Sequence, residues 1–239
     1  QQYSRIARGL EEAELVLKDA KIVNVFTEEI IRGDIAIQDG IIAGIGSFHG
    51  KEERDLAGKY VCPGFIDSHL HLESTLVTPA ELVTVASRHG TTSFIVDPHE
   101  SANVSGLAGI DYILEQTEDV KANVYVMMPS CVPATSIDDN GCTLTAADMA
   151  PYLHNSRILG LGEVMDSISV VQGDKGMHDK LELFEGRIRD GHAPFLEEGD
   201  LQAYAMAGIA TDHECSFFDY AMRERRNGLT VLIREGSAA

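Results

Sequence analysis

Asp67-Ser68-His69-Leu70-His71 is the segment of this sequence best suited to chemistry. Side chains alternate between the faces of a β-strand, so His69 and His71 point the same way, ~7 Å apart along it, and two such imidazoles can converge on one metal ion. The alternative for an isolated HxH is a polar strand face. Glu163 ends the apolar run Ile158-Leu159-Gly160-Leu161-Gly162. A carboxylate there needs a partner. Either it is a loop residue, solvated or paired with Arg157 or Lys175, or its two oxygens bridge two cations. His192 and His213 each follow a short candidate strand. Either one alone fits an ordinary surface or packed histidine. Four histidines and a glutamate at successive strand ends form a set, and His69, His71, Glu163, His192 and His213 together suit Zn, Fe, Mn or Co. Asp97, His99 and Glu100 end the second strand and offer substrate contact or proton transfer, against a loop merely fastened by Pro98 and Asp97. The spacing is not HExxH, so no zincin helix is expected. Pro129 and Pro133 stiffen a third loop, which brings Ser130 to the lining of a pocket. Cys131 has no cue for a depressed pKa and is not expected to be a nucleophile.

These residues need a scaffold that gathers strand ends. From residue 65 the pattern alternates between candidate strands at 65–71, 92–97, 123–128, 158–163, 187–191, 209–212 and 230–234 and candidate helices such as 79–89, 106–115, 146–153 and 199–207. Such alternation predicts a parallel sheet, and polar residues at the strand C-termini predict a (β/α)8 TIM-like barrel whose active site lies at that end. The competing open doubly wound sheet lacks its GxGxxG fingerprint. About seven strands are expected. From Phe65 onward there are 175 residues, against ~250 for a typical barrel, so an incomplete barrel without its eighth strand is expected. Residues 1–12 suggest a short helix or arm. Short β-rich runs broken at Asp39-Gly40 and Gly50 suggest part of a small N-terminal β-sandwich, and Pro63-Gly64 marks its end. The expected domains are therefore 1–62 and 63–239. His49, His89, His154 and His178 fall away from strand ends and are expected at the surface.

With 38 acidic and 19 basic residues the net charge is −19, which repels a polyanion, so no nucleic-acid partner is expected. The one basic run, Arg223-Glu224-Arg225-Arg226, suggests a solvated helix face. A small neutral or cationic substrate suits the charge. No apolar run approaches the ~20 residues of a membrane helix, and the charged N-terminus is unlike a secretory signal. Four scattered cysteines without a CxxC pair favour a reduced, cytoplasmic setting.

The segment from Lys59 to His71 resembles the opening of the amidohydrolase superfamily, in which a small β-sandwich precedes a barrel whose first strand carries HxH. The match is closer to the adenine deaminase family. His71-Leu72-Glu73-Ser74, Asp97-Pro98-His99-Glu100, Pro129-Ser130-Cys131-Val132-Pro133, Gly162-Glu163-Val164-Met165, Asp190-Gly191-His192-Ala193-Pro194 and Asp212-His213-Glu214 resemble that family's blocks, in order. The resemblance implies hydrolytic deamination of adenine to hypoxanthine and ammonia. It implies a binuclear divalent metal, manganese or iron ahead of zinc, held by His69, His71, Glu163, His192 and His213 with Glu163 bridging. Dihydroorotases and hydantoinases use a carboxylated lysine at the bridge, where this sequence has Glu163. Glu100, His99 and Glu163 are then the candidate catalytic residues, and Asp97 and Ser130 the candidate substrate contacts. A purine substrate and a homodimer are expected. The family's last metal ligand is an Asp after the eighth strand, and the family continues into a C-terminal region. The sequence stops before both, so residues 1–239 alone are not expected to turn over. Two competing readings are another amidohydrolase acting on a cyclic amide or N-acyl group, and a non-catalytic subunit. The other zinc-dependent nucleobase deaminases need P-C-x-x-C beside H-x-E, and only the second pattern occurs, at His71-Leu72-Glu73.

Overall fold

Alternating apolar residues and a Asp39-Gly40 turn make the first sixty residues a sheet. In the computed structural model, which describes residues 1–135 and 137–234, the chain divides into two compact units between Gly64 and Phe65. In the first, α1 (Gln2–Ala7) precedes β1 (Ala13–Asn24), β2 (Glu29–Gln38), β3 (Ile41–Gly46), β4 (Gly50–Asp55) and β5 (Tyr60–Val61). The sheet order is β3-β2-β1-β4, and β5 also pairs with β1. Asp39 and Gly40 join β2 to β3 with φ of 50° and 73°, the two left-handed residues that a tight right-twisted hairpin requires. Among the described residues this unit is one mixed sheet with two small apolar clusters, around Val16 and Ile22. The Lys18 ammonium crosses it to Asp34 (2.5 Å) and the Phe48 carbonyl (2.7 Å).

In the second unit, β6 (Phe65–Leu70), β7 (Thr91–Val96), β8 (Asn123–Met128), β9 (Ile158–Val164) and β10 (Ile188–Gly191) pair in parallel in chain order. β8 and β9 are almost wholly buried, and their near-continuous apolar character is what a parallel strand covered on both faces needs. Next come β11 (Thr211–Asp212) and β12 (Thr230–Val231), a short parallel pair joined to β10 where Ala210 N donates to Arg189 O (2.9 Å). Around the strands lie α2 (Pro79–Ser87), α3 (His99–Ser105), α4 (Leu107–Gln116), α5 (Ala146–Met149), α6 (Ser167–Gln172), α7 (Lys175–Leu183), α8 (Glu198–Met206) and α9 (Phe218–Arg226). One continuous core, from Leu72 to Leu229, packs them on the sheet. This is an arc of a (β/α) barrel, and its strand C-termini face one end.

Three local expectations change. The helix predicted over 106–115 is α4, but an unpredicted helix, α3, precedes it in place of a loop, and the two part at Gly106, which sits at φ 61° with Cys142 Sγ where a Cβ would go. The helix predicted over 146–153 is one α turn followed by a 3-10 turn, since Pro151 has no N–H to continue the ladder. Arg223–Arg226 is not a wholly solvated face: Glu224 is fully buried.

Candidate metal centre

Five strands of the arc, β6, β7, β9, β10 and β11, deliver polar residues at or just beyond their C-terminal ends. His69 lies on β6 and His71 one residue past it; Asp97 and His99 follow β7; Glu163 is the penultimate residue of β9; Asp190 lies on β10 and His192 follows it; His213 follows β11. Glu163 is the point on which they converge. Its Oε1 lies 3.1 Å from His99 Nδ1, 3.3 Å from His71 Nε2 and 3.9 Å from His69 Nε2. Its Oε2 lies 2.5 Å from His192 Nδ1 and 3.2 Å from His213 Nε2. The residue is 2% exposed, so it is no solvated loop carboxylate. Neither Arg157 nor Lys175 reaches it: Arg157 donates to the Val124 and Leu114 carbonyls and Lys175 to Asp179.

The second layer fixes which ring nitrogens are free. His71 Nδ1 is 2.8 Å from the Asp97 carbonyl, an acceptor only, so this nitrogen carries the proton and His71 Nε2 presents a lone pair. His69 Nδ1 is 2.9 Å from Asp190 Oδ2, which holds a proton there in the same way and leaves His69 Nε2 bare. The two ε nitrogens are 3.0 Å apart. Two lone pairs that close repel, and a shared cation, proton or metal, is what makes the arrangement favourable. The His69 and His213 rings stack at 3.6 Å, and both His213 nitrogens, His99 Nδ1 and Asp97 Oδ1 are buried without a hydrogen-bond partner. Five overlapping triads of these side chains have donor atoms close enough to hold a metal ion, among them His69–His71–Glu163, Glu163–His192–His213 and His69–Asp190–His213. The donor set of imidazole and carboxylate fits a divalent transition metal, with imidazole orientation secured by Asp190 and a backbone carbonyl.

Charge points the same way. Burial pushes the Glu163 carboxyl up, but the imidazoles of His192, His213 and His99 around it outweigh burial and hold the group well below the usual carboxylate range. Burial disfavours a charged His99, yet Asp97 and Glu163 push it up to about 10. His192 is raised by Glu163 in spite of burial. The anionic cluster thus demands positive charge, which the imidazoles supply as protons and a bound cation would supply in their place.

All five residues expected as ligands, and His99, meet here. Glu100 stands at the rim, exposed, with Oε2 4.0 Å from His71 Nδ1 and Oε1 accepting from Ser74 Oγ (2.6 Å). It lines, with His99, Asn103, Cys131 and Met165, a cavity of ≈510 Å³. Asp97 and Ser130 lie one layer behind, against Glu163. Asp97 Oδ2 accepts from Glu163 N (2.7 Å), and the fully buried Ser130 donates its hydroxyl to the Glu163 carbonyl (2.6 Å). Gly162 is obligatory at its position, because the Asp97 carboxylate fills the space a Cβ would take. Glu73 accepts from Ser101 N in the first turn of α3 and stays outside the cluster, so the H-x-E match is accidental. Burial pushes the Cys131 thiol well up, as expected of an inert cysteine. Sequence reasoning left out Asp190, although it shares a strand face with His192, two residues on. Among the described residues no helix is long and apolar enough to cross a membrane.

Comparison with known proteins agrees with this geometry. The amidohydrolase family model matches residues 60–235. The adenine deaminase of Desulfitobacterium hafniense is 60% identical over 231 residues, 97% of this chain and 41% of that protein. That of Clostridium acetobutylicum is 49% identical over 98% of this chain and 41% of its own length. The chain therefore spans about two fifths of the curated relatives it matches. Among solved structures, the zinc and phosphonate complex of N-acyl-D-glutamate deacylase from Bordetella bronchiseptica superimposes with a TM-score of 0.62 at 17% identity, covering 93% of this chain and 58% of that one. A zinc-bound atrazine chlorohydrolase from Arthrobacter aurescens gives 0.56 at 14% identity, covering 94% and 72%. At such identities these two structures speak for the fold alone. The family match takes in the whole parallel arc and every side chain of the cluster, and this chain belongs to the amidohydrolase family.

Proposed function

We propose that this chain carries the metal centre of an adenine deaminase, which converts adenine and water to hypoxanthine and ammonia. The observation that carries the reading is the pair of bare ε nitrogens of His69 and His71 against Glu163, in a chain 60% identical to a protein named adenine deaminase. His69, His71, Glu163, His192 and His213 would hold a binuclear divalent metal, manganese or iron ahead of zinc. Such a metal supplies a strong nucleophile from water at neutral pH. Glu163 offsets the added positive charge. Asp190 keeps the His69 proton on Nδ1, and the Asp97 carbonyl does so for His71. The cavity beside His99 and Glu100 falls within the ~300–1,000 Å³ usual for small-molecule sites, and its carboxylate accepts hydrogen bonds from an aminopurine. Glu100 and His99 carry protons to the ring nitrogen and the departing amine. Asp97 and Ser130 support Glu163, and their contact with substrate is through it. The protein works as a cytoplasmic homodimer, which size-exclusion chromatography and cell fractionation test.

The deciding assay follows ammonia release from adenine, beside hydrolysis of a cyclic ureide and an N-acetyl sugar. It uses this chain and the same chain extended to the full length of its relatives, each loaded with manganese. Ammonia from adenine, without hydrolysis of the other two substrates, is the expected result. Hydrolysis of the ureide or the N-acetyl sugar without deamination of adenine would replace this reading with another amidohydrolase activity.

A further inference from the structure

Asp212 is fully buried, yet no lysine or arginine meets it among the described residues. A buried carboxylate without a cation is costly unless hydrogen bonds satisfy it. Here the donors are all backbone. Oδ1 accepts from Ala193 N at 2.6 Å, and Oδ2 from Glu214 N at 2.8 Å and Cys215 N at 3.0 Å. Ala193 directly follows His192, and Glu214 directly follows His213. One carboxylate therefore ties together the two loops that carry these imidazoles, and both imidazoles aim at the same atom, Glu163 Oε2. The other constraint on His192 comes from Tyr204, whose hydroxyl accepts from His192 N (3.0 Å) and donates to the Val164 carbonyl (2.6 Å). Among the described residues both ring nitrogens of His213 lack a hydrogen-bond partner.

We infer that Asp212 is a positioning residue, which sets the spacing of His192 and His213 through backbone amides and so governs how tightly the centre holds metal. The inference rests on the reading of those two histidines as ligands. Asp212 need never touch metal or substrate. Its carboxylate is matched to three N–H donors, and an isosteric amide would turn an NH2 group toward at least one of them. That leaves a donor facing a donor in a buried site, and the loops must part to relieve it. Losing an outer support of this kind typically costs ~10–100-fold in metal affinity.

The test is a chelator competition for manganese in the full-length protein, comparing wild type with Asp212→Asn, His192→Ala and His213→Ala. The visible spectrum of each cobalt-loaded form reports coordination geometry, and a melting curve of each metal-free form reports the fold. Asp212→Asn is expected to fold with a lowered melting temperature, to hold manganese ~10–100-fold more weakly and to give an altered cobalt spectrum. Wild-type affinity and spectrum in folded Asp212→Asn, with both histidine variants weakened, would overturn the role of Asp212 alone. Unchanged affinity in both histidine variants would instead remove the ligand reading beneath it. If Asp212→Asn does not fold, Asp212→Glu takes its place under the same criteria, because it keeps the acceptors and the charge while its longer arm displaces the loops.

Discussion

Glu224 offers a measurement that isolates a single proton. It lies on α9, fully buried, with no donor to either oxygen. Burial first, and then the neighbouring Asp212 charge, push its carboxyl from the ordinary 4.5 up to about 8. In the unfolded chain it titrates near the ordinary value. The folded pKa is the higher one, so the stabilisation is fully present below about pH 4.5 and is lost as pH rises toward 8. One proton held over that interval costs the folded state 1.36 kcal/mol per pH unit, or on the order of 4 kcal/mol between about pH 5 and about pH 8. Glu224→Gln keeps the size but cannot ionise. Urea unfolding of both forms across this range, with the stability in water taken from each midpoint and slope, reads the difference. The two proteins should coincide near pH 5, and the variant should be the more stable by that amount near pH 8. Parallel curves, with a constant gap at every pH, would mean that Glu224 is charged throughout and that its partner has been misassigned.

Glu163→Gln should leave the melting curve of the metal-free protein nearly intact but lower metal content and cut turnover by ~10²–10⁴-fold, the usual range for losing an acid–base group; full occupancy with normal activity would make Glu163 a bystander. In Asp190→Asn the amide can turn its NH2 to His69 Nδ1 and drive the ring proton to Nε2, so manganese affinity measured by chelator competition should fall ~10–100-fold. Gly162→Ala sets a methyl group into the Asp97 carboxylate and should destabilise by ~1–3 kcal/mol on overpacking alone, and an unchanged urea midpoint would count against the close approach of Asp97 to β9.

The histidines were legible because the strand period is short and strict: His69 and His71, two apart, had to share a face wherever that strand went. Glu163 was legible as a charge that ends a buried strand. The same rule reaches Asp190, two residues before His192, but a D-x-H pair attracts less notice than H-x-H. What the sequence could not separate was a carboxylate that faces a cavity from one that faces a backbone amide. Asp97 and Glu100 stand three residues apart after one strand, and only packing tells that the first holds Glu163 N while the second reaches the rim. Glu224 was hidden by its neighbours. Three arginines around it suggest a solvated run, and its burial depends on the fold of residues around Asp212, twelve positions earlier. The packing of Cys142 against Gly106 is a contact with no local signature.

The separation in sequence between the parts of the cluster has a consequence for the order of events as the chain is made. His69 and Asp190 are 121 residues apart, and His213 comes later still. At ~5–20 residues per second, a ribosome needs on the order of ten seconds between the first imidazole and the carboxylate that orients it. For most of that interval His69 and His71 have each other but neither Glu163 nor Asp190, and a two-nitrogen site retains metal weakly. Tight capture has to wait until β6, β9, β10 and β11 are together, the slow, non-local part of folding. On the reading of the cluster as a metal centre, binding would draw only on finished molecules and stabilise them by mass action, so occupancy would double as a record that the whole arc has closed around Glu163.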